Sequence, residues 1–325
     1  MGRRRRVVVA GGAGFLGGHL CARLLADGYA VVCVDNFSTG RVDNVAELVD
    51  TPGFELLEHD IVAGVPVTGF LDAVVNLACP ASPQDYLRMP IETLRAASAG
   101  TLALLELAKA TGARFVQAST SEVYGDPLVH PQREDYWGNV NPIGPRAVYD
   151  EGKRFGEAAC AAFRREHGAD CGIVRIFNTY GPGMRTDDGR LIPNLVTQAL
   201  AGGPLTIHGT GEQTRSLCYV TDTVDGLVRM IEGDHPGPVN IGNATELTVL
   251  QIARVVQDLI GVRAPLVRLP AMADDPRTRK PDIRLAERVL GWRPRTDLRE
   301  GLRRTIRHFA DRRDPAVADR GTRTR

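Results

Sequence analysis

The stretch Val7-Val8-Val9-Ala10-Gly11-Gly12-Ala13-Gly14-Phe15-Leu16-Gly17 decides the fold. An apolar run enters a cluster of glycines and leaves it as a helical pattern. Leu16, Leu20 and Leu24 keep helical spacing, and Gly28 is placed to stop the helix. Gly11 and Gly14 allow a tight turn and a close backbone approach to a pyrophosphate, and Gly17 lets the helix pack close to the strand. A second apolar run, Ala30 to Val34, ends in Asp35. A carboxylate roughly 20 residues past the glycines can bind an adenosine ribose. Asp35 would repel a 2′-phosphate, which favours NAD over NADP, while Arg41 close by leaves NADP open.

Outward from this unit, strand-like and helix-like runs alternate. Strands are predicted at Arg6–Ala10, Ala30–Asp35, Phe54–Glu58, Ala73–Leu77, Arg114–Ala118, Gly172–Ile176 and Val239–Ile241. Helices are predicted at Phe15–Asp27, Ile91–Thr111, Tyr149–Glu166, Asn194–Ala201 and Leu250–Leu259. This alternation predicts an α/β fold with a doubly wound parallel sheet. Such sheets bind ligands at the C-terminal ends of their strands, where Gly11, Asp35, Asp60, Leu77-Ala78, Ser119-Thr120 and Asn178 fall. The cofactor set expected there is Gly11, Gly14, Phe15, Leu16 and Gly17 from the first turn, and Asp35, Asn36, Ser38, Thr39 and Gly40 from the second. Asp60, Ile61, Leu77 and Ala78 follow, and Tyr149 and Lys153 close the set. From about residue 180 the pattern loosens into Gly- and Pro-rich short elements. The division expected is a dinucleotide-binding Rossmann domain over 1–180, with a strand returning near 239–242, and a smaller substrate domain over 181–312. The tail from about Ala310, and 313–325 in particular, is expected to fray.

A chain of 325 residues can bury a large core and commonly forms two domains. A net charge of +1, with no large block of one sign, argues against a nucleic-acid partner. The run Arg3-Arg4-Arg5-Arg6 leads straight into the first core strand and reads as a solvated start. No apolar stretch approaches the roughly 20 residues of a membrane span, and no signal-peptide pattern is present. The six cysteines show no metal-ligand spacing, so no metal is expected. They read as reduced core residues, which suits a cytoplasmic protein.

Two further stretches carry the chemistry: Thr120-Ser121-Glu122-Val123-Tyr124-Gly125 at the end of a strand, and Tyr149-Asp150-Glu151-Gly152-Lys153 opening a helix. Tyr149 and Lys153 are one helical turn apart on one face. A lysine beside a tyrosine lowers the phenol pKa, so Tyr149 is expected to act as a base near neutral pH.

With these motifs in view, the chain resembles the extended short-chain dehydrogenases/reductases acting on nucleotide sugars. More narrowly it resembles the UDP-glucuronate decarboxylases, also called UDP-xylose synthases. The resemblance runs from Val7 to about Phe309. Its narrowest signals are Ser121 after Thr120, the Pro142-Ile143-Gly144-Pro145-Arg146 segment and the Arg279-Lys280-Pro281-Asp282-Ile283 segment. It implies NAD as a tightly held cofactor, UDP-glucuronate as substrate and a homodimer formed through the helices at 91–111 and 149–167.

The resemblance also assigns roles. Tyr149 would take the sugar C4 hydroxyl proton, Lys153 would hold the nicotinamide ribose, and Thr120 would hydrogen-bond the C4 oxygen. Sugar 4,6-dehydratases carry Asp-Glu where this chain has Ser121-Glu122. Serine is a poor acid for expelling hydroxide but can hydrogen-bond a substrate carboxylate without repulsion. Glu122 would assist at C5 or orient a proton-donating water. Arg279 matches an arginine near the sugar and its carboxylate, with Arg277 able to exchange roles with it. Arg215 matches the diphosphate grip, and bidentate guanidinium contacts suit both anions. Asn178 would bind the diphosphate, Asn194 marks the uridine-binding helix, and Pro80, Ala81 and Tyr86 would line the hexose. Ala97, Gly183 and His208 depart from the usual Asn, Arg and Tyr of that family. A C4 epimerase, a 4,6-dehydratase and a non-catalytic nucleotide sensor are the alternatives; sensors tend to lose the Tyr or Lys that this chain keeps.

Overall fold

The computed structural model describes residues 3–312. Its centre is one sheet built from β1 (Arg6–Ala10), β2 (Ala30–Asp35), β3 (Phe54–Glu58), β4 (Ala73–Asn76), β5 (Arg114–Thr120), β6 (Cys171–Ile176) and β7 (Val239–Ile241). The order is β7-β6-β5-β4-β1-β2-β3, and every pairing is parallel. Val7, Val8 and Val9 are all fully buried, because helices cover both faces of the sheet. That explains why the strand reads as a continuous apolar run rather than an alternating one.

Strand order reverses between β1 and β4, and the loops after these two strands meet there. A side chain on Gly11 would lie 2.7 Å from the backbone nitrogen of Ala78, and Gly11 has φ +75°. Both facts demand glycine at this position. Helix α1 (Phe15–Ala26) then packs tightly enough that a side chain on Gly17 would reach within 2.1 Å of the Gly11 carbonyl oxygen. The fold class read from the sequence is the one observed, including the return of β7 to the edge of the sheet beside β6.

Two helix readings change. The helix expected over 91–111 is interrupted: Pro90–Arg95 is followed by a π turn, Ala96–Gly100, before α2 (Thr101–Thr111) begins. The turn sits where Gly100 abuts Ile61 and Ala97 abuts Gly152, so the irregularity lies at a tight three-element contact. Helix α3 (Ala147–His167) carries Tyr149 and Lys153 and ends on Gly168 in the left-handed region at φ 63°. Helix α4 (Leu191–Leu200) starts one turn earlier than expected, because Ile192, Leu195, Val196 and Ala199 form its buried stripe.

The later chain is more regular than its Gly and Pro content suggests. Helix α5 (Val220–Glu232) buries Val224, Leu227 and Val228. It packs on α1, so it belongs with the dinucleotide-binding unit in space. Helix α6 (Val249–Ile260) opens with a capping box between Thr248 and Gln251. Trp292 is buried and donates its indole N–H to the Asp222 carbonyl at 2.9 Å. Helix α7 (Leu298–Asp311) is capped by Asp297 and runs through Ala310, where fraying was expected to begin. The tail 313–325 lies outside the described residues. All six cysteines are free and five are buried. Among the described residues, no helix is long and apolar enough to cross a membrane.

Candidate active site

Two adjoining cavities follow the C-terminal edge of the sheet, one of about 80 Å³ and one of about 330 Å³. Gly11, Gly14, Thr39, Leu77 and Cys79 border both, so they form one continuous groove. The smaller end is walled by Asp35, Asn36, Ser38, Asp60, Ile61 and Ala78. Phe15, Leu16 and Gly17 face the larger end. Asp35 is buried and accepts the backbone N–H groups of Ala13 at 3.0 Å and Phe37 at 2.9 Å. Burial nevertheless pushes its carboxyl above the usual aspartate value. Asp60 accepts from the Val62 N–H at 2.9 Å and from the Asn36 amide at 3.2 Å. Gly40 lines neither cavity; a side chain there would strike the Asp35 carboxylate at 2.6 Å, so its part is to leave that carboxylate room. The residues predicted to hold a dinucleotide therefore converge, and the glycine cradle leaves open the space such a group needs.

At the larger end, β5 delivers Thr120 and a short 3₁₀ turn, Ser121–Tyr124, delivers Ser121 and Glu122. The Thr120 hydroxyl accepts the Glu122 N–H at 3.2 Å, which caps the turn and fixes its direction. Tyr149 and Lys153 face this turn from α3. Lys153 is buried and donates to the Ala118 carbonyl at 2.9 Å. Its Nζ lies 5.7 Å from the centre of the Tyr149 ring.

This geometry corrects one expectation. The Tyr149 phenol is pushed up, not down: burial dominates, the Cys79 thiol adds to it, and the Thr120 hydroxyl only partly opposes it. Burial likewise pulls the Lys153 ammonium below its ordinary value, with Cys79 opposing. Removal of water from the two groups is the largest cause of both shifts.

The sugar-facing wall is an alternating series of charges. Arg146 donates to Glu122 Oε2 at 2.7 Å. Arg279 Nη2 stands 2.8 Å from Glu122 Oε1, yet it makes no aligned hydrogen bond there and is buried without a partner. Its Nη1 donates to Asn178 Oδ1 at 2.9 Å. Arg215 donates to Asp275 at 2.6 Å and to the Pro276 carbonyl at 2.9 Å. Burial works against the Glu122 charge, but Arg279 and Arg146 outweigh it and hold the carboxyl below its ordinary value. Tyr86 stacks on Tyr149 with ring centres 5.3 Å apart. Ala81, Asn178 and Asn194 face the same cavity, whereas Pro80 lies at the smaller, cofactor end. Arg277 is exposed and tied to Asp126 at 2.9 Å, so it does not share the place of Arg279. Of the three departures, Ala97 is packed against Gly152, and Gly183 and His208 line the large cavity.

The family profile of NAD dependent epimerases/dehydratases matches residues 7–242. The chain belongs to the NAD dependent epimerase/dehydratase family. It is 50% identical to UDP-glucuronic acid decarboxylase 1 of Arabidopsis thaliana over 313 residues, 96% of this chain and 72% of that protein. Among solved structures it resembles UDP-glucuronic acid 4-epimerase from Bacillus cereus in complex with UDP-glucuronic acid and NAD. That likeness has TM-score 0.83 and 29% identity over 93% of this chain and 98% of the other. It also resembles a dTDP-glucose 4,6-dehydratase from Streptomyces venezuelae with NAD bound, with TM-score 0.86 and 28% identity over 95% and 98%.

Against this family background, several residues of the site went unread in the sequence. Arg146 sits in a segment already singled out, one turn ahead of Tyr149, and its spacing to Tyr149 and Lys153 put it on their face. Asp275, Arg185 and Arg190 also wall the large cavity. They come from irregular loops, where no periodicity marks direction.

Proposed function

We propose that the chain converts UDP-glucuronate to UDP-xylose and CO2, using the residues of this groove. The observation that carries the reading is the pair of buried arginines, Arg146 and Arg279, set against the single Glu122 carboxylate, with Arg279 Nη2 2.8 Å from Glu122 Oε1 but not aligned for a hydrogen bond. Two buried guanidinium groups facing one carboxylate leave a positive charge to be balanced. The sugar carboxylate is the anion that balances it. Identity of 50% to a protein named as such a decarboxylase supports the same substrate.

NAD, which Gly11, Gly14, Asp35, Asp60 and Lys153 would hold, would supply a hydride acceptor for C4 and a positive charge that favours the Tyr149 phenolate against its burial. Tyr149 as the phenolate receives the C4 hydroxyl proton, and Thr120 holds the oxygen as it becomes a ketone. The substrate is then a β-keto acid. The C5–C6 bond breaks, its electrons pass into the C4 carbonyl as an enolate, and the carboxylate leaves as CO2. Thr120 and Tyr149 stabilise that enolate oxygen by hydrogen bonding. Ser121 and Arg279 hold the carboxylate until it leaves. Glu122 orients the water that gives C5 its proton. Reduction of C4 and return of the Tyr149 proton complete UDP-xylose.

Arg215 and Asn178 take the diphosphate, and Asn194 marks the uridine end. Residues 181–312 form the nucleotide-sugar half, apart from α5 and β7, which return to the sheet. The working form is a cytoplasmic homodimer. Ile91, Leu94, Leu102 and Phe155 support the dimer, because they expose apolar side chains on neighbouring helices. Mixing the purified chain with UDP-glucuronate, without and with added NAD, and weighing the products tests the reaction. UDP-pentose with no lasting NADH is the expected result. An unchanged mass identifies a C4 epimerase or another substrate.

A further inference from the structure

Glu122 is held by two arginines in two different ways. Arg146 makes an aligned hydrogen bond to Oε2 at 2.7 Å, while Arg279 approaches Oε1 at 2.8 Å as a charge without an aligned N–H. Arg146 is also the better anchored of the two to the catalytic helix. It stands at the N-cap position of α3, one turn before Tyr149. Its guanidinium carbon lies 6.0 Å from the centre of the Tyr86 ring, which stacks on Tyr149. Its Nη1 lies 3.9 Å from Asp275 Oδ1. Side chains of Arg146 and Glu122 are only 7% and 11% exposed, so water cannot replace either partner.

We propose that Arg146 is a positioning residue that keeps Glu122 charged and aimed into the groove while Arg279 turns its unaligned Nη2 donor from Glu122 to the sugar carboxylate. This inference rests on the reading of Arg279 given above. The two arginines then divide the work: one belongs permanently to Glu122, the other is shared between Glu122 and substrate. Without Arg146, a substrate carboxylate would draw Arg279 away and leave Glu122 buried with no counter-charge, a state in which it would take up a proton.

The charged and titratable groups around Glu122 agree with this division. Arg279, Arg146 and Arg215 stabilise its charge. Asp150, Tyr86 and Tyr149 each feel the Glu122 charge as a penalty on their own ionisation. Asp275 stands behind Arg146 and Arg215 and keeps both arginines in line. Removing Arg146 takes away an opposing charge while burial stays, so the Glu122 carboxyl moves up.

The test is the pH profile of kcat/KM for Arg146→Gln and Arg146→Lys, with NAD content measured alongside. R146Q is expected to move the acid limb up by about one pH unit or more, the scale on which a hydrogen-bonded opposite charge shifts a carboxyl. R146K, which keeps the charge, is expected to restore most of that position. A rate lowered evenly at every pH, with the limb unmoved, would show a merely structural role and overturn the proposal. The wild-type chain decides the matter independently. With 13C-labelled glutamate, the Glu122 Cδ signal is expected to remain that of a carboxylate at about pH 6 when UDP-glucuronate fills the site. Protonation of Glu122 on substrate binding overturns the proposal. Wild-type protein that binds UDP-glucuronate without releasing CO2 contradicts the decarboxylase reading instead, and the labelled carboxylate still reports on Arg146.

Discussion

At the adenosine end of the groove, Asp35 is fixed by the backbone N–H groups of Ala13 and Phe37, all within one βαβ unit. At the sugar end, Glu122, Arg146, Arg215, Asp275 and Arg279 arrive from the end of β5, the start of α3, a short strand at Thr214–Ser216 and a loop far along the chain. The first end is made of backbone and glycine; the second is made of long side chains that neutralise one another. The difference matters chemically. A pyrophosphate and a ribose are needed in every turnover and suit a rigid backbone cradle. A substrate carboxylate must be held, lost as CO2 and not replaced, which suits a guanidinium that can be shared. Breaking each end should therefore fail in a different way.

The largest effect is expected at the junction of the two. Tyr149→Phe removes the proton acceptor and should lower turnover about 10²–10⁴-fold, the usual range for a positioned acid or base. Binding of NAD should persist, because the glycine cradle does not involve the phenol. Stopped-flow absorbance and equilibrium binding on the same sample separate the two quantities, and near wild-type turnover in Y149F would remove Tyr149 from the chemistry.

Gly17→Ala attacks the other end. The added methyl would fall 2.1 Å from the Gly11 carbonyl oxygen, a backbone atom with no room to yield. Overpacking of this kind costs about 1–3 kcal/mol. NAD affinity should drop about 10–100-fold, while UDP, for which Arg215 at the far end is the proposed grip, should bind as before. Equal loss of both ligands in calorimetry would mean that the two ends are not separable.

The smallest effect concerns Asp150, buried behind the sugar-end charges with one oxygen unpartnered. Burial first, then the Glu122 charge, push its carboxyl from an ordinary 3.8 up to about 8, against the pull of Arg146 and Arg279. The folded chain thus favours the protonated form. Its contribution to stability is complete below pH 3.8 and is lost as pH rises through about 8. Asp150→Asn keeps the shape and removes the titration. It should raise Tm by a few degrees at about pH 9, and by progressively less as pH falls through 8 toward 3.8. A wild-type chain whose Tm falls no faster than that of D150N over this interval would contradict the assignment.

Legibility in the sequence followed the same division. The dinucleotide end was readable because its signal is local: Val7–Gly17 states strand, turn and helix in one stretch, and Asp35 follows at a fixed interval. The sheet was readable for the same reason, since β1, β2 and β4 are short valine-rich runs. At the sugar end, the Thr120–Glu122 turn and the Tyr149–Lys153 helix could be named, but their partners could not. Arg146 and Asp275 acquire meaning only when α3 and the loop before Arg279 close on Glu122. Long-range charge pairing leaves no period in a sequence. The direction of the Tyr149 shift was misread because spacing reveals a neighbouring lysine but not the depth at which both groups are buried. Helix α5 was missed although its own stretch has one glycine and no proline; its amphipathic stripe packs on α1.

The most direct measurement uses UDP-glucuronate carrying deuterium at C4, incubated with the purified chain and followed by mass spectrometry of the nucleotide sugar. A single groove that oxidises C4, releases CO2 and reduces C4 again should yield UDP-pentose that has lost the mass of CO2 and kept its deuterium. A product of unchanged mass, or a pentose in which the deuterium has been washed out, would contradict that cycle.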